Sequence, residues 1–257
     1  MSQPDDKLID HLRRGEKILI FTGAGISTGS GIPDFRGPQG IWKQRQPVYY
    51  QDFMTSETAR IEYWDYKLEG WEGFRDAQPN AVHDAIARLE QAGKLCMVVT
   101  QNIDGLHSKA GTSAGKLVEL HGTNLATECQ NCRRHSDPEP HFAYFKQTGK
   151  APQCQECGGY LKPATISFGQ SLREEDLRRA TEAAAAADLV IALGSTLSVH
   201  PAASIPLMAA ERGAPYVIIN RGVTDQDGQP SVTLRLEGDV VEIFAPVVAD
   251  AVADGGS

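Results

Sequence analysis

Long apolar runs are absent from this chain of 257 residues, so the sequence offers no segment that could span a membrane. The first residues, MSQPDDKLIDHLRRGEK, carry acidic side chains early and have no apolar core, which fits neither a secretory signal nor a transit peptide. We therefore expect a cytoplasmic protein. Repeats and low-complexity segments are also lacking. A composition of 41% hydrophobic and 23% charged residues is typical of a globular chain and excludes a fibre.

Positive charge is scarce as well. Lysine and arginine number 25 against 33 acidic residues, which gives a net charge of −8. Non-specific nucleic-acid binding needs a basic face that releases phosphate counterions, so we expect no direct contact with nucleic acid. The same charge balance suits basic peptide partners. We also expect a monomer that does not bind membranes.

Cysteines are few, and four of the five fall into two C-x2-C pairs. Cys129 and Cys132 form the first pair, and Cys154 and Cys157 form the second after an interval of 21 residues, slightly longer than usual. Four thiolates at such spacing predict a closed tetrahedral zinc site that is structural, since no position is left for water. A redox pair and an iron–sulfur cluster are the alternatives. Cys96, inside a predicted strand, is expected to be a core thiol.

Glycine, in contrast, is plentiful and concentrates after one apolar run. Residues 18–21 lead directly into a loop that contains Gly23, Gly25, Gly29 and Gly31. Such a loop lets the backbone approach a phosphate closely, so it predicts nucleotide binding, with a glycine-rich structural turn as the alternative. Thr28 stands where the standard dinucleotide fingerprint requires its third glycine. The carboxylate, ring and guanidinium of residues 34–36 would serve a pyrophosphate and a flat ring.

Strand and helix patterns alternate along most of the chain. Unbroken apolar strands with helical patterns between them indicate a Rossmann-like α/β fold, a parallel sheet with helices on both faces. The predicted strands are 17–22, 95–100, 116–120, 164–168, 189–193, 216–220 and 233–236. The predicted helices are 5–14, 81–92, 174–187, 202–212 and 240–253.

Two segments interrupt this alternation. Residues 40–75 are rich in aromatic side chains with helical spacing over 57–70, and residues 126–163 carry the cysteine pairs. We expect these two segments to form a small domain, and 1–39, 76–125 and 164–257 to form the Rossmann-like domain. The aromatic segment is interpreted as a helical layer that buries its own rings; a mobile lid or part of a substrate groove is the functional alternative.

Polar side chains gather at the ends of predicted strands. Gln101, Asn102 and Asp104 follow one strand, and His121 follows the next. Because the carboxyl ends of parallel strands share one sheet edge, we expect an amide, a carboxylate and an imidazole around a bound nucleotide. Taken singly, His121 is equally well explained as a structural histidine. No serine or cysteine nucleophile motif accompanies them, so the cofactor or a water would be the reacting partner.

Several motifs resemble those of the sirtuin family, the NAD-dependent protein deacylases, in its compact prokaryotic form. GAGIST-x-SGIPDFRG, QNID, LHG and LGSTL occur in the family's order between about residues 17 and 248. The resemblance implies NAD as co-substrate, a structural zinc ion, and acyl-lysine proteins or peptides as substrates. It implies removal of acyl groups, acetyl above all, to give nicotinamide and O-acyl-ADP-ribose. An ADP-ribosyltransferase or NAD hydrolase on the same fold, or a non-catalytic NAD sensor, remains the alternative.

The family's residue roles transfer position by position. His121 and Asn102 become the catalytic residues: His121 is the general base that activates a ribose hydroxyl, and Asn102, together with Asp104, holds the nicotinamide ribose and carboxamide. Ile166, Phe168 and Gly169 become substrate contacts, Phe168-Gly169 looking like the start of a strand that pairs with the peptide backbone. Phe35 shields the ribose, and residues 30–36 form a flap over it. The implied NAD contacts are Gly23, Ala24, Gly25, Ser27, Thr28, Asp34, Phe35, Arg36, Gln101, Asn102, Ile103, Asp104, Gly194, Ser195, Thr196, Asn220, Arg221, Asp239 and Val240.

Three departures from the family pattern stand out. Gln170 replaces a frequent glutamate, and Ser195-Thr196 inverts the commoner order; both keep hydrogen-bonding capacity. The subgroup that removes acidic acyl groups carries a Tyr-x-x-Arg pair. This chain has YWDYK at residues 63–67, without the arginine, so the resemblance disfavours succinyl and malonyl lysine.

Overall fold

The computed structural model describes residues 4–34 and 46–253. Its strands in chain order are β1 (Ile18–Thr22), β2 (Leu95–Thr100), β3 (Leu117–Glu119), β4 (Gly122–Cys129), β5 (His135–Ser136), β6 (Leu161–Thr165), β7 (Leu189–Leu193), β8 (Tyr216–Asn220) and β9 (Leu234–Glu237). Its α-helices are α1 (Pro4–Arg14), α2 (Tyr50–Thr55), α3 (Glu57–Asp76), α4 (Ala81–Gln91), α5 (Leu106–Lys109), α6 (Glu139–Thr148), α7 (Glu174–Ala186), α8 (Ser204–Glu211) and α9 (Val240–Ala253). Within the described ranges, no helix is long and apolar enough to cross a bilayer.

Six strands form one parallel sheet in the order β3-β2-β1-β7-β8-β9. Alternate residues of β1 enter two different cores. Ile18 and Ile20 pack with α1, α4 and α9, whereas Leu19 and Phe21 pack with α7 and α8. A strand buried on both faces must be apolar throughout, which explains the unbroken run ILIF. The predicted Rossmann-like sheet with helices on both faces is confirmed.

Helix α4 shows how local sequence sets the element boundaries. The Asn80 side chain accepts a hydrogen bond from the backbone N–H of Val82 at 3.0 Å, and the His83 ring accepts one from the backbone N–H of Asn80 at 3.3 Å. This reciprocal capping satisfies donors that a helix start leaves without partners. Gly93, at φ +74°, follows the helix in the left-handed region.

A smaller body packs beside the parallel sheet. It combines α2, α3 and α6 with an antiparallel sheet of order β5-β4-β6. The Trp71 ring stacks on Phe142 with ring centroids 4.6 Å apart, and Trp64 Nε1 donates to the Leu161 carbonyl oxygen at 3.1 Å. The aromatic rings of α3 are therefore buried against the cysteine-bearing segment. This packing supports the expected two-domain division, whose boundaries stay a prediction.

The small sheet differs from the sequence-based expectation. The extended segment expected over 164–168 is strand β6, which ends at Thr165 and pairs antiparallel with β4 through Thr127 and Pro163. It therefore belongs to the small sheet instead of the parallel one. The sequence pattern does not predict strand β4, GTNLATEC, because polar and small residues interrupt its apolar alternation. Helix α6 lies inside the cysteine segment, where the sequence pattern predicts no helix, and Pro138 and Gly149 mark its ends.

Candidate active site

A cleft of about 1020 Å³ opens at the carboxyl ends of the parallel strands. Strand order reverses beside β1, because the chain builds β2 and β3 on one side of it and β7 to β9 on the other. Open α/β sheets bind ligands at this topological switch point. The predicted contacts that line the cleft are Gly23, Ala24, Gly25, Thr28, Asp34, Gln101, Asn102, Ile103, His121, Ile166, Phe168, Gly169, Gly194, Ser195, Thr196, Asn220, Arg221, Asp239 and Val240.

Four predicted contacts are not among the described residues that line the cleft. Ser27 and Asp104 are buried behind the lining residues. Phe35 and Arg36, the last two residues of the expected flap, fall outside the described residues. Their roles stay predictions.

The glycine loop after β1 packs tightly against the loop after β7. Gly23 and Gly25 donate their N–H groups to the carbonyl oxygens of Leu193 and Gly194, at 3.0 and 2.8 Å. A Cβ at Gly25 would lie 2.8 Å from Gly194 Cα, and one at Gly194 would lie 2.6 Å from the Ile26 nitrogen. These glycines thus permit close contact between two loops, which is a different reason for their presence than free N–H groups aimed at a phosphate.

Behind this loop, a buried hydrogen-bond chain holds two of the predicted polar residues. Asn102 Nδ2 donates to the Gly23 carbonyl oxygen and to Ser27 Oγ, each at 3.1 Å. Ser27 Oγ donates in turn to Asp104 Oδ2 at 2.8 Å, and the Leu106 N–H donates to the other oxygen at 2.9 Å. Burial raises the pKa of Asp104, and these hydrogen bonds oppose the shift. Asn102 therefore reaches the cleft already fixed in orientation.

His121 occupies the turn between β3 and β4 and lines the same cleft. Its Nδ1 lies 3.1 Å from the Gln101 carbonyl oxygen. A carbonyl can only accept, so Nδ1 carries the hydrogen and Nε2 is the basic nitrogen of the ring. The backbone is tied down as well, since the Ile166 N–H donates to the His121 carbonyl oxygen at 2.8 Å. This geometry suits a general base.

The wall of the cleft at the ends of β7 and β8 is also ordered by side-chain contacts. Gln101 Nε2 donates to Ser195 Oγ at 2.8 Å, which links the ends of β2 and β7. Arg221 and Asp239 form an ion pair at 2.6 Å. Asn220 Nδ2 bonds the carbonyl oxygens of the turn that follows β8. These contacts fix the shape of the wall, and other hydrogen-bond donors and acceptors of the wall still face the cleft.

Helix α3 contributes a wall that the site prediction did not include. Glu62, Tyr63, Tyr66 and Lys67 all line the cleft, as their one-turn spacing on a helix allows. Tyr63 Oη lies 3.0 Å from Thr165 Oγ1, and Lys67 Nζ donates to Asn124 Oδ1 at 3.0 Å. Burial lowers the pKa of Lys67 to about 7. The helical spacing of these residues predicts the helix, but it does not indicate which face of the helix lines the cleft.

The predicted substrate contacts follow β6 in a turn. The Phe168 carbonyl oxygen accepts the Tyr50 N–H at 2.9 Å, and the Tyr49 ring lies 6.0 Å from the Phe168 ring. Gly169 adopts φ +79°. Strand pairing between this segment and a peptide therefore stays a prediction. Val199, His200 and Pro201 line the cleft too, and no sequence motif had singled them out.

The four paired cysteines converge at one point of the small body. Their sulfur atoms all lie within 4.8 Å of one another, with Cys129 and Cys157 at 3.5 Å and Cys132 and Cys154 at 3.9 Å. Four thiolates so grouped match the tetrahedral donor set of structural zinc. A Cβ at Gly159 would lie 2.9 Å from the Cys129 sulfur, so the knuckle leaves room for nothing larger.

Comparison with known proteins gives a consistent result. The Sir2 family pattern matches residues 23–201. An NAD-dependent protein deacetylase from Rhodopseudomonas palustris is 42% identical over 250 residues, covering 97% of this chain and 98% of that protein. One from Thermodesulfovibrio yellowstonii is 39% identical over 221 residues, covering 86% of each.

Solved structures agree with these sequences. A Sir2 complex with deacetylated p53 peptide and 3'-O-acetyl ADP ribose has a TM-score of 0.87 and 37% identity, covering 98% of this chain and 99% of that one. A complex of a Sir2 homologue with NAD has a TM-score of 0.87 and 32% identity, covering 99% and 96%.

Proposed function

The chain belongs to the Sir2 family, and we infer that it is an NAD-dependent protein-lysine deacetylase. The observation that carries this is the cleft at the switch point, where His121 and Asn102 face the space that the glycine loop borders. NAD is the co-substrate, and the four clustered cysteines would hold a structural zinc ion. Acyl-lysine peptides are the substrates. One water is consumed, and the products are nicotinamide, the free lysine and O-acyl-ADP-ribose.

Each residue has a defined task in this proposal. NAD supplies the ribose carbon that the acyl oxygen of the modified lysine attacks as nicotinamide leaves. Asn102 and Asp104 orient the nicotinamide ribose and carboxamide, the buried Ser27 bond supporting both. His121 removes a proton from a ribose hydroxyl at Nε2, that oxygen bonds to the acyl carbon as the lysine amine leaves, and one water then adds to this carbon, so that the acyl group remains on the ribose. The walls of the cleft limit the access of water to the ribose carbon while nicotinamide leaves, which favours acyl transfer over simple hydrolysis of NAD.

The two substrates are placed by the residues that line the cleft. We propose that NAD contacts the residues predicted for it along the sheet edge and that the peptide passes Ile166, Phe168 and Gly169 between the two domains. The location of these groups on one cleft supports the assignment. A cytoplasmic location is supported by the use of cysteines as metal thiolates, which need a reducing compartment. A net charge of −8 supports the absence of direct nucleic-acid binding, and a monomer remains part of the proposal.

The acyl preference rests on the cation that α3 presents. An arginine fork stays charged and binds a carboxylate through two parallel hydrogen bonds, whereas the Lys67 amine lacks that planar fork and already donates to Asn124. With its pKa lowered to about 7 by burial, Lys67 loses much of its charge at neutral pH. We therefore propose that acetyl lysine is preferred over succinyl or malonyl lysine.

The decisive experiment incubates the full chain with acetyl-lysine peptide and NAD and follows both products by mass spectrometry. We expect deacetylated peptide and O-acetyl-ADP-ribose in equal amounts. His121→Ala should reduce turnover by about 100-fold or more, since it removes a general base, while His11→Ala on α1 serves as the matched control. Nicotinamide release without peptide deacetylation would instead favour an NAD hydrolase or ADP-ribosyltransferase. Tight NAD binding without any turnover would favour a sensor.

A further inference from the structure

Two buried imidazoles stand behind the cleft and take no part in the proposed chemistry. His83 lies on α4 and His107 on α5, with relative exposures of 0% and 2%. Their ring centroids are 5.0 Å apart and the rings are tilted by 60°. Burial lowers the pKa of His83 to about 4 and that of His107 to about 3. Both rings are therefore neutral at physiological pH, and each carries a single N–H hydrogen.

The hydrogen bonds of His107 define which of its nitrogens holds that hydrogen. Thr22 Oγ1 donates to Thr100 Oγ1 at 2.7 Å, which uses the only hydrogen of the Thr22 hydroxyl. His107 Nε2 lies 3.1 Å from the same Thr22 oxygen. The Thr22 oxygen must accept in that contact, so His107 is protonated on Nε2 and its Nδ1 is an acceptor.

The same reasoning applies to His83. Its Nδ1 accepts the backbone N–H of Asn80 at 3.3 Å, so its hydrogen lies on Nε2. Among the described residues, His83 Nε2, His107 Nδ1 and Thr112 Oγ1 are buried polar atoms without a hydrogen-bond partner. Thr112 adjoins the pair, because its N–H donates to the His107 carbonyl oxygen at 3.0 Å. A donor on one ring and an acceptor on the other, with ring centroids 5.0 Å apart, are partners that a single buried water satisfies.

The hydrogen bonds from His107 through Thr22 to Thr100 continue to the active site. Thr100 Oγ1 also accepts the backbone N–H of Asn102 at 2.9 Å. We propose that His107 is a positioning residue for Asn102, acting through the Thr22 and Thr100 hydroxyls. His83 maintains the required tautomer of His107 through a shared buried water. The inference rests on the proposed function, because it matters for turnover only if Asn102 takes part in catalysis.

The tautomers can be read directly. In the full chain labelled with nitrogen-15 at histidine, zinc-loaded and with NAD, we expect both buried rings to report the neutral Nε2–H tautomer from about pH 8 to about pH 6. A high-resolution crystal structure should show a water within hydrogen-bond distance of both rings. An Nδ1–H tautomer for His107 would overturn the relay. These measurements need no turnover, so they separate failure of this inference from failure of the proposed function.

Kinetics test the positioning role. His107→Gln places an amide donor near the position of Nε2 and should retain most activity. His107→Leu should lower kcat by roughly 10- to 100-fold with little change in the peptide KM, because small misplacements at an active site are costly. Thr22→Val should reproduce the loss and Thr22→Ser should restore activity, which keeps the test valid if the leucine variant misfolds. His141→Leu, on α6, is the matched control.

A double-mutant cycle tests whether His107 acts through Asn102. If His107 acts through Asn102, then His107→Leu should cost little further kcat in an Asn102→Ala background. Full additivity of the two losses would contradict the proposal. So would an unchanged kcat in a folded His107→Leu enzyme.

Discussion

At the residue scale, the glycines around the cleft are required by contact between two loops. Gly25 and Gly194 approach so closely that neither position can hold a Cβ without moving the backbone. A buried backbone contact cannot relax as a flexible side chain can. The loop that the sequence marks as a phosphate cradle is therefore also a packing element, and its shape depends on the loop after β7.

The first prediction concerns Gly25→Ala. Its Cβ would meet Gly194 Cα at 2.8 Å, so we expect the loop to shift, NAD affinity to fall about tenfold or more, and stability to fall by about 1–3 kcal/mol. Gly73→Ala is the matched control, because a Cβ there has no neighbour within 4 Å and a glycine inside α3 is replaced by a better helix former. Calorimetric NAD titration and urea unfolding of both variants provide the test. Wild-type NAD affinity in Gly25→Ala would refute the packing argument.

The second prediction concerns Lys67 and the acyl group. Replacing it in Lys67→Arg gives a cation that stays charged, so the ratio of succinyl to acetyl turnover should rise about tenfold. Lys67→Met should leave acetyl turnover within about threefold while abolishing any succinyl turnover, since it preserves length and removes charge. A panel of acyl peptides measures both ratios. A wild-type enzyme that prefers succinyl lysine would show that the acyl preference is assigned wrongly.

At the element scale, α3 joins two functions in one helix. Trp64 and Trp71 are buried in the small domain's core, whereas Tyr63 and Lys67 line the cleft. The small domain is too small to be stabilised by burial of apolar side chains alone. Cys129 belongs both to the zinc site and to the aromatic core, so the two support each other. The orientation of the cleft wall thus depends on the metal.

The third prediction follows from that dependence. Removing zinc with a chelator should loosen the aromatic core, lower deacetylase activity by at least about tenfold, and change the tryptophan fluorescence that Trp64 and Trp71 contribute. Zinc readdition should restore both signals. Cys129→Ser should behave like the chelated protein, whereas Cys96→Ser, outside the cluster, should not. Full activity in metal-free protein with an unchanged fluorescence spectrum is the result that contradicts a structural zinc.

At the scale of the whole molecule, stability should depend on pH through the buried histidines. Their folded pKa values, about 4 for His83 and about 3 for His107, lie below the unfolded value of about 6.5. Below that value the unfolded chain binds protons that the folded chain excludes, so stability falls as the pH falls. Between pH 7 and pH 5 each histidine should cost roughly 2 kcal/mol.

The fourth prediction tests this whole-molecule effect. Urea unfolding of wild type and His107→Gln at about pH 7 and about pH 5 should show a smaller pH-dependent loss in the variant, by roughly 2 kcal/mol. Comparing the two proteins cancels the protonation of the zinc thiolates, which both share. Equal losses in the two proteins would mean that His107 already binds a proton in the folded state.

Local chemistry explains how much of the fold was predictable. The unbroken apolar strands and the cap at Asn80 are local signals, and the corresponding elements lie within a few residues of their predicted bounds. Strand β4 has no such signal in its own sequence. It is held in place by pairing with β5 and β6, which come later in the chain. The turn at Phe168 likewise depends on a contact with Tyr50, far away in sequence.

The sequence alone therefore determined the parallel sheet, the four-cysteine cluster and the polar residues at the strand ends, because periodicity, ligand spacing and strand polarity are properties of short segments. The tertiary structure decided which groups meet. Only packing brings α3 to the cleft with Lys67, presses Gly25 against Gly194, and joins His83 to Asn102 through His107. These contacts join segments tens of residues apart, so no local pattern in the chain could encode them visibly.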